Sequence, residues 1–158
     1  MLKFIYGKED NCMYKIKHFK DLSTNEFYEI AKARYEVFAC EQHIFEENDF
    51  DDVDKNCYHI FLEKNDNIVA YARIIPKEFS SYEDVSIGRV LVLKESRGYG
   101  IARNMMIEAI DFIKDNLKEE HITLSAQEYI KSLYSSLGFK EISDIYDECN
   151  IPHVKMRL

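Results

Sequence analysis

The residues best suited to chemistry lie in one segment. Val90-Leu91-Val92-Leu93 is apolar, Lys94-Glu95-Ser96-Arg97 is charged, Gly98-Tyr99-Gly100 supplies two glycines, and Ile101-Ala102 opens an amphipathic run. A buried strand therefore turns through glycines straight into a helix. Glycine admits backbone conformations that a Cβ disfavours, so main-chain amides can point inward at such a turn. The first turn of a helix adds unpaired N–H groups and a partial positive charge. Together these make a site for a phosphate or pyrophosphate, and Arg97 adds a cation. The residues exclude two familiar phosphate loops. A Walker loop ends in Gly-Lys-Ser/Thr, and no such ending occurs. A dinucleotide-binding Gly-x-Gly-x-x-Gly has Arg103 in its last place here, and the loop follows several strands instead of opening the chain.

The elements that must hold this loop can be read from periodicity. Met13 to Phe19 alternates as a strand, and Leu2 to Tyr6 is either another short strand or a tail. Ser23 followed by Glu26 has capping-box spacing, and Phe27, Ile30, Ala31 and Phe38 continue a helix to about Cys40. Glu46 to Lys55 is strongly acidic. Such a run is usually a solvated loop, with attraction of a cation or an amine as the other reading. It lacks EF-hand spacing. Tyr58 to Glu63 and Ile68 to Ile75 form a hairpin around Asn65-Asp66-Asn67, ended by Pro76. Phe79 to Asp84 reads as a loop and Ser86 to Leu93 as a strand. Gly100 to Leu117 carries Ile101, Ala102, Met105, Met106, Ala109, Ile110 and Ile113 on one face of a helix. His121 to Ala126 is a strand and Gln127 to Leu137 a helix with Gly138 as its C-cap. Phe139 to Tyr146 and Ile151 to Leu158 are strand candidates. This order implies an α/β fold: a mixed, mostly antiparallel sheet with helices on both faces.

Arg97, Gly100 and Ala102 fit the pattern Arg/Gln-x-x-Gly-x-Gly/Ala, and Ser132-Leu133-Tyr134-Ser135-Ser136-Leu137-Gly138-Phe139 follows after an intervening strand and helix start. The pair resembles the pyrophosphate loop and the Leu-Tyr-x-x-x-Gly-Phe signature of the GNAT acetyltransferases. A narrower likeness, to ElaA-like proteins, covers most of the chain from Arg34 onward. Its residues are Arg34-Tyr35-Glu36-Val37-Phe38 with Glu41-Gln42, Ala70-Tyr71-Ala72-Arg73, Ile87-Gly88-Arg89-Val90, Leu124-Ser125-Ala126-Gln127, and Tyr146-Asp147-Glu148 with Ile151-Pro152-His153. Asn150 stands where that branch usually has Gly, and Asn tolerates the left-handed conformation of a turn. Residues 1–12 read as an N-terminal extension of a single domain spanning 1–158.

The resemblance implies a GNAT-like fold with acetyl-CoA as co-substrate. Strands would splay near Leu91, Val92 and Leu93 and accept pantetheine between them. Amides of Gly98, Tyr99, Gly100, Ile101 and Ala102 would hold the pyrophosphate with Arg97. A primary amine would attack the thioester directly, with the Val92 N–H stabilising the developing oxyanion. Tyr134 would be the general acid that protonates the leaving thiolate. Candidates for the general base are Glu41, His59 and His153, with most weight on His153. Gln127 would bond the pantetheine arm or position Tyr134. Arg73 and Arg89 would order a polar network in the core or contact substrate. No metal is implied.

Bulk composition narrows the partners. The chain has 158 residues, enough for one domain, with 46% hydrophobic and 32% charged residues, so it is globular and not disordered. A net charge of -8 argues against a nucleic-acid binder. No stretch approaches the ~20 apolar residues of a membrane span, and no signal-peptide core is present, so the expectation is a cytoplasmic protein away from membranes. Cys12, Cys40, Cys57 and Cys149 form no Cys-x-x-Cys pair and read as free thiols in a reducing compartment. The expected partner is a small-molecule or peptide amine. Two alternatives on the same fold are a non-catalytic acyl-CoA-binding sensor and a protein-interaction domain, the latter as a homodimer through an exposed strand edge.

Overall fold

The computed structural model describes residues 13–158; the Leu2 to Tyr6 strand candidate and Cys12 lie outside them. The strands are β1 (Tyr14–His18), β2 (Tyr58–Lys64), β3 (Asn67–Ile75), β4 (Val85–Val92), β5 (Ile122–Gln127), β6 (Lys140–Glu141), β7 (Tyr146–Glu148) and β8 (Ile151–Arg157). The helices are α1 (Thr24–Arg34), α2 (Ile101–Phe112) and α3 (Lys131–Ser136). The sheet runs β1-β2-β3-β4-β5-β8-β6, with β7 also on β8. Among the described residues all of its strand pairings are antiparallel except β4–β5.

Local chemistry explains most of the elements. Asn65 and Asp66 both have positive φ, 51° and 61°, which is the backbone of the tight turn that matches strand twist. The capping box at α1 forms as expected: the Ser23 amide donates to Glu26 Oε2 at 2.9 Å and the Glu26 amide donates to Ser23 Oγ at 3.1 Å. Lys17 Nζ donates to the same carboxylate at 2.8 Å, which fastens the helix start to β1. Cys149 and Asn150, at φ 51° and 60°, turn β7 into β8, so Asn150 does adopt the left-handed conformation.

The two faces of the sheet carry different helices. Along β2, Ile60 and Leu62 face one way and Phe61 the other. On the first face Met105, Met106, Ala109 and Ile110 of α2 are buried with Ala70, Ala72 and Ile74. On the second, Ile30 and Ala33 of α1 and the following Val37 pack on Phe61, Ile68, Tyr71 and Leu91. Full burial of each large side chain here contributes roughly 1.5–3 kcal/mol.

Several boundaries differ from the periodicity. Beyond Arg34 the first helix continues to Glu41 in the wider π form, and α2 widens the same way over Ile113–Leu117. Gln127 ends β5, and a 3₁₀ turn at Glu128–Ile130 precedes α3. The strand expected over Phe139 to Tyr146 reduces to β6 and the start of β7. Ile142, Ile145 and Asp144 are exposed there, so little burial rewards a longer pairing.

The acidic run is the largest correction. Most of it is exposed, as in a solvated loop, but three of its carboxylates are not free. Asp54 is 4% exposed, and Asp49, Asp51 and Asp54 are held by three arginines, Arg34, Arg73 and Arg89. Arg34 is itself fully buried.

Candidate active site

The site grows from a seam in the sheet. β4 and β5 run parallel and pair only at Val85–Ile122 and Ser86–Thr123, after which the ladder stops. On its other edge β4 stays bonded to β3, and there the Leu93 amide donates to the Val69 carbonyl at 2.8 Å. Antiparallel strands alternate bonded and non-bonded pairs. The Ala70–Val92 pair is therefore the non-bonded kind, and it turns the Val92 amide and carbonyl away from β3, into the seam. Leu91 presents both of its groups to β3 and Leu93 its amide, the Leu93 carbonyl accepting from the Ser96 amide at 2.8 Å. Of the three residues expected to receive pantetheine, Val92 is the one whose main chain is turned to the gap. One extra residue in β4, between the partners of Tyr71 and Arg73, makes a bulge just before it. Arg89 within that bulge has φ 54°.

The seam leads into the glycine loop. A 3₁₀ turn at Lys94–Ser96 follows β4, then Gly98 at φ 86° and Gly100 at φ 74° steer the chain into α2. The first bond of α2 runs from the Asn104 amide to the Gly100 carbonyl at 3.0 Å. The amides of Ile101, Ala102 and Arg103 come before it, and no side chain caps this end. The first turn also holds no acidic residue. An N-terminus left this way is complementary to an anion, so the residues fit the pyrophosphate of a CoA thioester.

Arg97 Nε donates to the Val92 carbonyl at 2.9 Å, and its two terminal nitrogens grip Glu41 at 2.6 Å and 2.9 Å. The hydrogen bond from Arg97 holds the Glu41 carboxyl below its ordinary range. Glu41, considered above as a base, is thus committed to Arg97. Gln127 Nε2 donates to Gln42 Oε1 at 3.0 Å, which joins the end of β5 to the same π turn.

Tyr134 is 6% exposed, lies edge-on to Phe139 at 6.1 Å and lines the cavity between the strands, whose volume is about 660 Å³. Burial raises its hydroxyl above the ordinary value, so the phenol keeps its proton at neutral pH.

The three base candidates are now distinguishable. His59 is completely buried, with Nδ1 2.8 Å from the Tyr71 hydroxyl and Nε2 2.9 Å from the Asp54 carbonyl. A carbonyl only accepts, so Nε2 donates and Nδ1 accepts, and neither nitrogen is left for chemistry. Burial lowers its basicity further. His153 differs. Its Nδ1 is 2.7 Å from the Ile151 carbonyl and must carry the proton, which leaves the Nε2 lone pair unused on a side chain lining the cavity. His153 stacks on Tyr146 at 6.1 Å.

Part of the cavity lining, Arg34, Arg73, Arg89 and Asp49, belongs to the arginine–aspartate network. Arg34 donates through Nη1 to Asp54 Oδ1 and through Nε to Asp49 Oδ2, both at 2.8 Å, beneath the Phe50 ring. Arg73 takes both Asp51 oxygens, at 2.7 Å and 2.9 Å, and reaches Asp54 at 3.1 Å. Arg89 donates to Asp49 Oδ1 at 2.7 Å. Burial alone would lift the Asp51 carboxyl, but the hydrogen bond and charge of Arg73 hold it below its usual value. Cys57 lies within this field, and burial pushes its thiol up to about 12, which keeps it unreactive. Sequence reasoning named Arg73 and Arg89 but missed Asp49, Asp51 and Asp54 as their partners. The available signal was Arg73 itself, an obligate cation inside the apolar run Ile68 to Ile75.

A mixed sheet with one splayed parallel seam, a glycine loop opening into an uncapped helix and a buried phenol beside it defines an acyl-CoA-binding fold. The sequence model of the acetyltransferase (GNAT) domain matches residues 17–158, and the chain belongs to that family. It is similar to a UPF0039 protein of Schizosaccharomyces pombe, 39% identical over 150 residues, 94% of this chain and 97% of that one. The crystal structure of Escherichia coli ElaA covers 92% of this chain and 98% of its own, at 32% identity and a TM-score of 0.83. An acyl-CoA N-acyltransferase from Pseudomonas aeruginosa superposes with a TM-score of 0.84 over 93% of this chain and 99% of its own, at 29% identity. Among the described residues no group of His, Cys, Asp and Glu is placed to hold a metal ion, and no helix is long and apolar enough to cross a membrane.

Proposed function

We propose that this chain moves an acetyl group from acetyl-CoA to a primary amine by direct attack. The observation that carries the reading is continuity. One cavity joins the uncapped start of α2, the Val92 main chain turned into the β4–β5 seam, the Tyr134 phenol and the free face of His153. Acetyl-CoA supplies an activated acyl carbonyl and a thiolate leaving group. The amides at Gly98 to Ala102 hold its pyrophosphate, while Arg97 keeps its anchor on Glu41. The Val92 N–H donates to the acyl oxygen as that atom gains negative charge. His153 Nε2 takes one proton from the incoming ammonium; the Tyr134 O–H gives one to the leaving sulfur and is restored by the second proton that the acylated nitrogen sheds as the amide forms. Cys40, Cys57 and Cys149 carry no disulfide, in keeping with a cytoplasmic setting for the reaction.

The test is acetyl-CoA turnover, read as thiol release, against small amines, amino acids and peptides, with Tyr134→Phe alongside. Loss of a general acid lowers kcat about 100-fold or more. Unchanged turnover in Tyr134→Phe overturns its role. Acetyl-CoA binding by calorimetry without turnover of any acceptor favours a non-catalytic acyl-CoA sensor. Neither binding nor turnover overturns the cofactor assignment.

A further inference from the structure

The three aspartates of the acidic run are neutralised by three arginines, so they offer no free charge to a substrate. A different set of carboxylates does. Glu46, Glu47 and Glu148 come together around the Cys149 thiol, which is raised first by burial and then by Glu47, Glu46 and Glu148. Asn150 Nδ2 donates to Glu46 Oε1 at 3.1 Å and ties the loop after the π turn to the β7–β8 turn. Ser125 Oγ donates to Glu148 Oε2 at 3.2 Å. Among the described residues no Lys or Arg pairs with any of these carboxylates. Glu47 and Glu148 line the same cavity as His153.

A second observation at this end points to a ligand. His153 is 7% exposed, and its Nε2 has no hydrogen-bond partner among the described residues while its Nδ1 is taken by the Ile151 carbonyl. A ring nitrogen open to a cavity, on a side chain otherwise enclosed, accepts from a donor lodged there, and an ammonium is the donor that unpaired carboxylates beside it would recruit. One cation would satisfy His153; the carboxylates call for another. Resting on the acyl-transfer reading above, we propose that the acceptor is a small aliphatic di- or polyamine, whose reacting amino group sits at His153 Nε2 while its second ammonium sits between Glu47 and Glu148. A small molecule fits because both charges are met within one cavity.

The experiment compares 1,4-diaminobutane with butylamine, which has the same carbon chain and lacks the second cation. Partly solvated charge pairs of this kind together change kcat/KM by roughly 10-fold. The full chain is expected to prefer the diamine by about that factor, and added salt is expected to shrink the preference. In Glu47→Gln/Glu148→Gln the ratio falls to about one to two. Glu148→Gln alone gives an intermediate ratio. Acetyl-CoA affinity by calorimetry reports that the fold and cofactor side of each variant are intact. Equal use of butylamine, a preference that survives in the double variant, or better use of amino acids or lysyl peptides than of free diamines overturns the proposal while leaving acyl transfer standing. Acetyl-CoA binding with no amine turned over also overturns it. Absence of both binding and turnover removes the acyl-transfer reading first and this one with it.

Discussion

Asp54→Asn removes one charge and changes almost no volume, at a carboxylate that is 4% exposed. Its Oδ1 accepts from Arg34 Nη1 at 2.8 Å and from Arg73 Nη1 at 3.1 Å. Asn keeps an acceptor oxygen there, so what is lost is mainly the attraction to two guanidiniums. At a charge separation of about 4 Å and an effective dielectric near 20, each attraction is worth roughly 4 kcal/mol before desolvation. The variant no longer has to bury a carboxylate, which returns several kcal/mol. Arg34 retains Asp49, and Arg73 retains Asp51. The net destabilisation is therefore about 3–5 kcal/mol, the range for breaking a buried ion pair from one side. Urea unfolding followed by circular dichroism reads it as a lower midpoint at unchanged slope. Asp52→Asn is the control within the same acidic run, because Asp52 is 85% exposed and meets only Lys55; its midpoint is expected to match that of the parent. A loss below about 1 kcal/mol in Asp54→Asn would refute the claim that this run is a structural counterion.

Three further outcomes separate roles that the sequence left together. Glu41→Gln loosens the grip on Arg97, so the KM for acetyl-CoA should rise severalfold with little change in kcat; a general base would instead lose about 100-fold in kcat. His59 is held by burial below its ordinary 6.5. The unfolded chain therefore binds the proton more readily, and the stability this histidine contributes is complete above 6.5 and lost as pH falls through its lower folded value. The urea midpoint should decline already between pH 6.5 and 5, before carboxylates matter, and His59→Gln should flatten that decline. Gly98→Ala meets open space, yet φ is 86° there, so its cost is backbone strain of roughly 1–2 kcal/mol, read as a lower melting midpoint and weaker acetyl-CoA binding by calorimetry.

The parts legible in the sequence were those whose cause is local. Ser23 with Glu26, Asn65-Asp66 and Gly98-Tyr99-Gly100 each specify a cap or turn within a few residues, and the structure has all three. The splay of β4 from β5 was inferred by resemblance, since nothing in Val90 to Leu93 says where a parallel ladder must stop. Asp49, Asp51 and Asp54 looked solvated because their arginines lie 15 to 40 residues away in sequence. His153 was favoured over Glu41 only because Ile151-Pro152-His153 lies in a motif segment. What parts them is a guanidinium contributed from 56 residues further along the chain and a single carbonyl two residues upstream.

The two-pair seam between β4 and β5 also has a mechanical consequence. It divides the sheet into two plates. α2 packs chiefly on β2, β3 and β4 and travels with the first plate, whereas α3 sits against β5 and travels with the second. The plates are joined by Val85–Ile122, Ser86–Thr123, the Asp84 carboxylate accepting from Thr123 and Arg157, the Gln127–Gln42 bond and a shared apolar core, while no ladder pair joins β4 to β5 beyond Ser86–Thr123. A molecule lodged in it acts as a splint, bonded along one plate and clasped by the other. Amide exchange should then slow along β4 and β5 together when the splint is in place, and slow much less in the β2–β3 hairpin, which lies wholly within one plate.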